Sequence, residues 1–248
     1  MSTSMPDAIA DHSPAARSVT CGRAFVHVWL LPLDAWRSRS QELEPVVDPA
    51  QRRRCNALRE PALRRDRLLA HALHRVLVAE ALGLSPYCLP LYRSHTGQPR
   101  IALPGLHTSL SHADGMVAVA LAPCAVGVDV EARQLAPLSP IADLVCTPAE
   151  LAALPGDPDQ QQQRLLSTWV GKEAVLKAAG VGLARQMSSF NLEKDAPVEI
   201  NATCGRNLRL HVHRHDEGSA WVFAVASETL APPHWSWRLP PHHGIESI

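Results

Sequence analysis

Residues 168–183, which read TWVGKEAVLKAAGVGL, restrict the fold of this chain more than any other segment. The apolar residues recur at helical spacing, and the glycines near the end supply the usual stop at a helix C-terminus. An apolar stripe that includes Trp169 continues one turn later into Glu173 and then into Lys177. Charged groups that follow such a stripe into a core need a partner or a metal ion. We therefore expect a long helix packed on the core, with Glu173 and Lys177 at a chemical site.

Lysine is scarce in this chain, which has 24 Lys plus Arg residues but lysine only at Lys172, Lys177 and Lys194. The first two fall in the 168–183 segment. A compact ammonium group at such positions suits a site that holds a phosphate oxygen through a point charge. The spacing of Glu173 and Lys177 is also that of an ordinary surface ion pair on a helix. From the pair alone, both interpretations stay open.

The sequence GVDVE at residues 127–131 predicts a strand with two unlike faces. Alternation places Asp129 and Glu131 on one face, while Val128 and Val130 point into the core. Two carboxylates on one face repel each other unless solvent or a cation lies between them. Mg2+ binds one or a few carboxylates together with substrate phosphates, so it is the expected ion. A strand end at which both acids reach water is the alternative.

Strands and helices alternate irregularly in two comparable halves, which favours an α+β fold over a doubly wound parallel sheet. Helices are predicted over residues 49–58 and 63–82, after a capping box at residues 147–150, and up to Ala179 after a polar loop at 157–163. Strands are predicted over residues 25–31, 101–103, 116–121, 126–130, 207–213, 220–226 and 235–239. Residues 109–112 are assigned to a loop because they show no regular periodicity.

Composition excludes several classes of protein. Hydrophobic residues make up 46% and charged residues 19% of the chain, and the formal net charge is zero, which argues against disorder and against a uniformly basic, nucleic-acid-binding surface. Residues 1–23 lack an apolar signal region, and no stretch approaches the ~20 apolar residues of a membrane span, which predicts a cytoplasmic protein. The six cysteines form no C-x-x-C pair and are expected to be reduced thiols. His211, His213 and His215 are expected to form an exposed face, because no acid lies at zinc-motif spacing.

Four blocks of the sequence, in this order, carry a resemblance to a known family. They are Gly97-Gln98-Pro99, Ser109-Leu110-Ser111-His112, Gly127-Val128-Asp129-Val130-Glu131 and Trp169-Val170-Gly171-Lys172-Glu173-Ala174 continuing to Lys177. The chain resembles the 4′-phosphopantetheinyl transferases of the long, surfactin-type class, whose patterns are G-K-P, (N/S)-x-S-H, G-(I/V)-D-(I/V)-E and W-x-x-K-E-(A/S)-x-x-K. Each block is weak alone, but their order and spacing are specific.

The resemblance implies the transfer of the phosphopantetheine arm of coenzyme A to an apo acyl or peptidyl carrier protein. Asp129, Glu131 and Glu173 would form a Mg2+ site that also holds the coenzyme pyrophosphate. Glu173 would accept the proton of a carrier-protein serine while that oxygen attacks the β-phosphate, and 3′,5′-ADP would leave. Positioning and charge neutralisation supply most of the rate in such phosphoryl transfers.

Several coenzyme contacts also follow from the resemblance. His112 and Lys177 would stabilise the diphosphate charge, and Lys172 would assist them. A basic grip on the 3′-phosphate would come from Arg54 together with Arg65 or Arg67. The full set of expected coenzyme-binding residues is Arg54, Arg65, Arg67, Gln98, Ser111, His112, Lys172 and Lys177.

The resemblance further implies a monomer of two pseudo-symmetric lobes, each a small antiparallel sheet packed with helices, with the active site in the cleft between them. The expected bounds are residues 21–123 and 124–240, flanked by a flexible N-terminus (1–20) and a loose tail (241–248). The carrier protein would belong to fatty-acid, polyketide or nonribosomal-peptide synthesis.

Two alternatives remain at this stage. Gln98 replaces the lysine of G-K-P and removes a cation, for which Arg93 or Arg100 would compensate; a coenzyme A or carrier-protein binding module without turnover therefore stays open. A metal-dependent nuclease is the other alternative, because Asp129, Glu131, Glu173 and Lys177 form a plausible set for phosphodiester cleavage. The zero net charge argues against the nuclease.

Overall fold

The computed structural model describes residues 25–182, 185–193, 196–215 and 220–241. The predicted flexible N-terminus (1–20) therefore lies outside the described residues, as do Cys21, Leu183, Lys194 and all of the predicted tail except Pro241.

The helices and strands have the following bounds. The strands are β1 (His27–Pro32), β2 (Leu91–Arg93), β3 (Pro99–Ile101), β4 (His107–Ala113), β5 (Met116–Ala122), β6 (Val126–Ala132), β7 (Val198–Asn201), β8 (Asn207–His215), β9 (Trp221–Ser227) and β10 (His234–Trp237). The α-helices are α1 (Leu33–Trp36), α2 (Ser40–Leu43), α3 (Pro49–Asn56), α4 (Pro61–Ala81), α5 (Ala142–Val145), α6 (Pro148–Ala152) and α7 (Pro158–Ala179).

Two sheet-and-helix halves make up the fold. The N-terminal sheet has the strand order β10-β1-β5-β4 and packs against α4, and the C-terminal sheet has the order β6-β9-β8-β7 and packs against α7. A two-stranded hairpin of β2 and β3 lies between α4 and β4 in the chain. The predicted α+β class with two halves is confirmed.

Strand periodicity explains why the two sheets pack face to face. On β1, Val28 and Leu30 enter a central core between the sheets, while Trp29 and Leu31 face the core on the α4 side. The strands β5 and β9 divide their buried residues between two cores in the same alternating way. This central core contains residues of both sheets and therefore holds the two halves together.

The long helix α7 lies close to β6 because Gly127 has no side chain. A Cβ atom at Gly127 would overlap the backbone oxygen of Ala174 and the backbone nitrogen of Ala178. Glycine at this strand position lets the helix backbone approach the sheet. The acidic face of β6 is thereby brought next to the end of α7.

Capping residues set the bounds of α7. Asp157 accepts a hydrogen bond from the backbone nitrogen of Gln160 at 2.9 Å, and Pro158 occupies the first turn. Residues 158–163, predicted as part of a polar loop, are therefore helical, and this prediction was wrong. The helix ends as predicted at Gly180, which adopts a left-handed conformation with φ of 72°. The predicted capping box of Thr147 and Glu150 is confirmed at α6.

The strand β10 corrects the predicted lobe bounds. It was expected to be an edge strand within the C-terminal lobe (124–240), but it joins the edge of the N-terminal sheet, where it runs parallel to β1 with His234 opposite His27. The N-terminal sheet is therefore mixed rather than purely antiparallel. The chain crosses from the first half to the second after β5 and returns at β10.

The assignment of residues 109–112 to a loop was also wrong, because they form the middle of β4. Thr108, Ser109 and Ser111 are buried there. Their polar character hides the strand in the sequence, since burial of hydroxyl groups needs specific partners that periodicity does not show. The strand β7 was missed as well.

Two expectations from composition can be compared with the structure. Cys55, Cys88, Cys124, Cys146 and Cys204 are free thiols. Within the described ranges, no helix combines the length and apolar character needed to span a bilayer.

Candidate active site

Serine side chains join the two halves where β4 of one sheet lies beside β6 of the other. The hydroxyl oxygen of Ser109 accepts a hydrogen bond from the backbone nitrogen of Val128 at 3.0 Å. Two residues further along β4, Ser111 lies opposite Asp129. We call this junction the β4–β6 seam. It brings the second and third sequence blocks into contact.

Asp129, Ser111 and Lys177 form a hydrogen-bonded group at the seam. The Oδ1 atom of Asp129 accepts hydrogen bonds from Ser111 Oγ at 2.8 Å and from Lys177 Nζ at 2.6 Å, and Lys177 Nζ lies 2.8 Å from Ser111 Oγ. Asp129 is 3% exposed, and its Oδ2 atom makes no hydrogen bond with the described residues. One carboxylate oxygen is thus held by the protein, and a buried second oxygen is left for a cation.

Glu131 and Glu173 lie near Asp129 and are half-buried. Burial, followed by the charge of Asp129, raises the pKa of Glu131 to about 7, whereas Lys177 opposes this shift. The same two causes, burial first and then Asp129, raise the pKa of Glu173. The group thus has more negative charge than Lys177 offsets, so a divalent cation would stabilise it.

The three acids do not form a closed metal cage. No group of three His, Cys, Asp or Glu side chains in the described part of the chain is placed to hold a metal ion alone. Mg2+ usually keeps several water molecules and binds one or two carboxylates together with substrate phosphates. The buried, unpartnered oxygen of Asp129 and the neighbouring acids fit that open type of site.

A cavity of about 400 Å3 opens beside the seam, between the two halves. The N-terminal half supplies most of the lining, and the end of α7 supplies the rest. The polar and charged lining residues relevant to function are Arg54, Arg67, Arg93, Gln98, His112 and Lys177.

The cavity is electropositive. The Arg93 guanidinium has a lowered pKa because it is buried and because Arg54 and Arg67 are close to it. The pKa of His112 falls to about 4, first through burial and then through the charges of Arg67 and Lys177. His112 is therefore a neutral imidazole near pH 7. Cations that repel one another in this way favour a ligand that carries several phosphates.

The structure separates the two arginines that were alternatives for the 3′-phosphate grip. Arg54 and Arg67 line the cavity. Arg65 instead lines a second cavity between α2, α3 and α4, and its Nε atom lies 3.9 Å from Asp66. Helical spacing explains the difference, because Arg65 and Arg67 lie on different sides of α4.

Two further cavity residues extend the predicted set. Arg93, expected only as a compensating cation, lines the cavity and donates to the carbonyl oxygen of Gly97. Its Nη2 atom lies 3.2 Å from Nε2 of His71, which sequence reasoning missed. His71 follows Arg67 by four residues on α4, so helical periodicity could have identified it.

Lys172 does not reach the cavity, which corrects its predicted role in coenzyme binding. Its side chain is fully buried, and Nζ donates to the carbonyl oxygens of Val145 at 2.8 Å and Met187 at 3.0 Å and to Glu150 Oε2 at 2.5 Å. These contacts join α5, α6, α7 and the segment after α7. The role of Lys172 is therefore structural.

Gln98 lines the cavity, and its side chain points to the end of α7. The Nε2 atom donates to the backbone carbonyl oxygen of Lys177 at 2.5 Å. Gln98 is neutral where the family pattern has a lysine, and the guanidinium group of Arg93 lines the same cavity.

The histidines of β8 differ from the predicted exposed face. His211, His213 and His215 are half-buried, and the ring of His215 stacks on Trp235 with centroids 5.1 Å apart. Trp235 belongs to β10 of the other sheet, so alternation along β8 alone does not show this contact of His215.

Comparison with known proteins agrees with this geometry. The model of the 4′-phosphopantetheinyl transferase superfamily matches residues 125–234, which include β6 and α7. The chain is 32% identical over 225 residues to the 4′-phosphopantetheinyl transferase HetI of Nostoc sp., an alignment that covers 86% of this chain and 92% of the relative.

Two other relatives carry similar descriptions. A 4′-phosphopantetheinyl transferase of Bacillus subtilis is 29% identical over 200 residues, covering 79% of this chain and 88% of the relative. A phosphopantetheinyl transferase of Thraustochytrium sp. is 27% identical over 246 residues, covering 87% of this chain and 84% of the relative. The sequence blocks, the two-halved fold and these relatives agree, and the chain belongs to the 4′-phosphopantetheinyl transferases.

Proposed function

We propose that this enzyme transfers the 4′-phosphopantetheine arm of coenzyme A to a serine of an apo acyl or peptidyl carrier protein and releases 3′,5′-ADP. The observation that carries the proposal is the position of Lys177. This lysine lines the electropositive cavity and also contacts Asp129 of the acidic group. A phosphate bound in the cavity would thus lie next to the carboxylates.

The cavity residues account for the binding of coenzyme A. Arg54, Arg67 and Arg93 offer guanidinium groups to the phosphates of the adenosine half. His112 is neutral near pH 7, so it can donate one hydrogen bond to a diphosphate oxygen without adding charge. Both halves of one chain supply the lining, and we therefore propose that the enzyme acts as a monomer.

Asp129, Glu131 and Glu173 would hold Mg2+. When bound, this ion would neutralise charge on the coenzyme diphosphate. Lys177 supplies a fixed positive charge from the protein side of the same group.

Glu173 would serve as the base. Glu173 is half-buried and lies one turn before Lys177 on α7, and without a bound ion its pKa is raised by burial and by Asp129. It would take the proton of the carrier-protein serine as the serine oxygen forms a bond to the β-phosphorus. The bond from that phosphorus to the bridging oxygen breaks, and the electron pair leaves with 3′,5′-ADP. Lys177, one turn after Glu173, would stabilise the negative charge that develops on the leaving group.

Intact-protein mass spectrometry tests this function. A purified apo carrier protein is incubated with the enzyme, coenzyme A and Mg2+, and EDTA is added to a parallel sample. We expect a mass gain of one phosphopantetheine that EDTA abolishes. Glu173→Gln should lower the rate of transfer by at least about 100-fold because the base is lost.

The matched control is Glu199→Gln, a change at an exposed glutamate of β7. This variant should transfer at the wild-type rate. Transfer by Glu173→Gln at the wild-type rate would contradict the assignment of the base. Transfer in the presence of EDTA would contradict the metal site.

A further inference from the structure

Gln98 connects the N-terminal half to the end of α7 across the cavity. It lies directly before β3, in the turn that follows β2, and its backbone is held there: its nitrogen donates to Ser94 Oγ at 3.2 Å and its carbonyl accepts from Ser94 N at 2.9 Å. From this fixed position its side-chain amide donates to the carbonyl oxygen of Lys177. The connected residues are far apart in the sequence, so the bond joins two halves of the fold.

The end of α7 is shaped to receive this amide. Gly180 has a left-handed backbone, and a Cβ atom there would lie 2.5 Å from Oε1 of Gln98. Glycine at this position allows the left-handed backbone that ends the helix, and it leaves room for the side chain of Gln98. The carbonyl of Lys177 belongs to the last turn of the helix, where it accepts a hydrogen bond from the backbone nitrogen of Gly180 at 3.2 Å. Gln98 supplies a second donor to this carbonyl, from the other half of the fold.

The hydrogen bond from Gln98 is made to Lys177, whose side chain lines the cavity and contacts the acidic group. The backbone of Lys177 is held by Gln98, while its Nζ atom contacts Asp129 and Ser111. Among the described residues, the other hydrogen bonds to the last turn of α7 are its helical ones and those from Thr203, which donates to the carbonyl oxygens of Ala179 and Gly180. These contacts hold the turn from the C-terminal half alone.

We propose that Gln98 is a positioning residue that fixes Lys177 relative to the coenzyme cavity, in place of a direct ionic contact with phosphate. This inference rests on the proposed function. A glutamine at this position exchanges a mobile cation for a neutral hydrogen-bond donor of fixed geometry. The electropositive character of the cavity then comes from Arg54, Arg67 and Arg93.

The test replaces Gln98 by methionine, which has a similar length and volume but no donor. Gln98→Met should lower kcat/KM for coenzyme A by about 10-fold, the amount expected for one hydrogen bond that positions a reacting group. In the Lys177→Ala background, the same change should lower it by less than about 2-fold, because the side chain that Gln98 positions is gone. Gln163→Met, at an exposed glutamine of α7, serves as the control in both backgrounds.

Hydrogen exchange gives a readout independent of activity. Gln98→Met should accelerate amide exchange in the last turn of α7, around residues 176–182, and Gln163→Met should not. Equal losses of kcat/KM in the presence and absence of the Lys177 side chain would overturn the inference, as would unchanged exchange in this turn. Absence of transfer by the wild-type enzyme would contradict the proposed function instead, and the exchange result would still decide whether Gln98 holds the helix end.

Discussion

At the scale of single residues, two lysines of one helix have opposite environments. Lys172 is fully buried and has three oxygen partners. Lys177 is partly exposed, with a side-chain exposure of 29%, and it faces the cavity. The sequence identifies both as unusual in an arginine-rich chain, but the partners of Lys172 come from segments distant in sequence. Its structural role could therefore not be predicted from the motif.

This difference leads to a paired prediction. Lys172→Met leaves Glu150 without its buried partner and should lower the free energy of unfolding by about 3–5 kcal/mol. Lys177→Met should lower it by less, because Asp129 keeps its bond from Ser111. The rate of transfer should instead fall by about 100-fold in Lys177→Met and stay measurable, because the charge on the leaving group loses one stabilising cation. Urea unfolding and initial rates of transfer, measured on both variants, would check this; the reverse order of stabilities would contradict the assigned roles.

At the scale of elements, the sequence predicts helices better than polar strands. The helices α3, α4, α6 and α7 follow from apolar periodicity and capping residues, which are local signals. The strand β4 was missed because its buried hydroxyl groups have partners on β5 and β6: Thr108 bonds to Ala120, Ser109 to Val128 and Ser111 to Asp129. Such partners are set by tertiary structure, so no local pattern reveals them.

The contact of α7 with β6 provides a prediction at this scale. Gly127→Ala would place a methyl group against the backbone at Ala174 and Ala178, and backbone atoms cannot move aside as a flexible side chain can. We expect a loss of about 1–3 kcal/mol in the free energy of unfolding, or more, together with a loss of transfer, because Lys177 would move away from Asp129. Both are measured by urea unfolding and by the transfer assay.

Gly156→Ala is the matched control, because no atom lies within 4 Å of a Cβ at that position. It should leave both quantities near the wild-type values. A Gly127→Ala variant as stable and as active as this control would contradict the proposed packing of helix against strand.

At the scale of the whole molecule, the site exists only where both halves meet. The resemblance predicts that the sequence blocks form one site, and in the structure Asp129, Ser111 and Lys177 are in contact. The choice between Arg65 and Arg67 could not be made from sequence, because the registration of α4 against the cavity depends on packing.

Buried histidines predict how the stability of the molecule depends on pH. Burial is the main cause that lowers the pKa of His27 to about 4, His71 to about 2, His74 to about 3 and His112 to about 4. In the unfolded chain these groups would take up protons below about pH 6.5, before the folded protein does. The free energy of unfolding should therefore fall as the pH is lowered from about 6.5 to 4.5. Glu131, whose pKa is raised to about 7, acts in the opposite direction over this range.

The contribution of one histidine can be isolated at His27, which lies away from the cavity and bonds to Ser236. Urea unfolding at several pH values should show a weaker pH dependence for His27→Gln than for the wild-type protein between pH 4.5 and 6.5. Parallel curves for the two proteins would show that His27 is protonated equally in the folded and unfolded states, contrary to its burial.

The pairing of β10 with β1 has a consequence for synthesis on the ribosome. The chain emerges from its N-terminus, so β1 is made early, whereas the strand that covers its edge is made only after the entire C-terminal half. Domains usually fold one after another as they emerge. Here the first sheet is complete only when residues 234–237 have been made. Until then the edge of β1 is open to pairing with other chains. The two halves of this enzyme must therefore finish folding together.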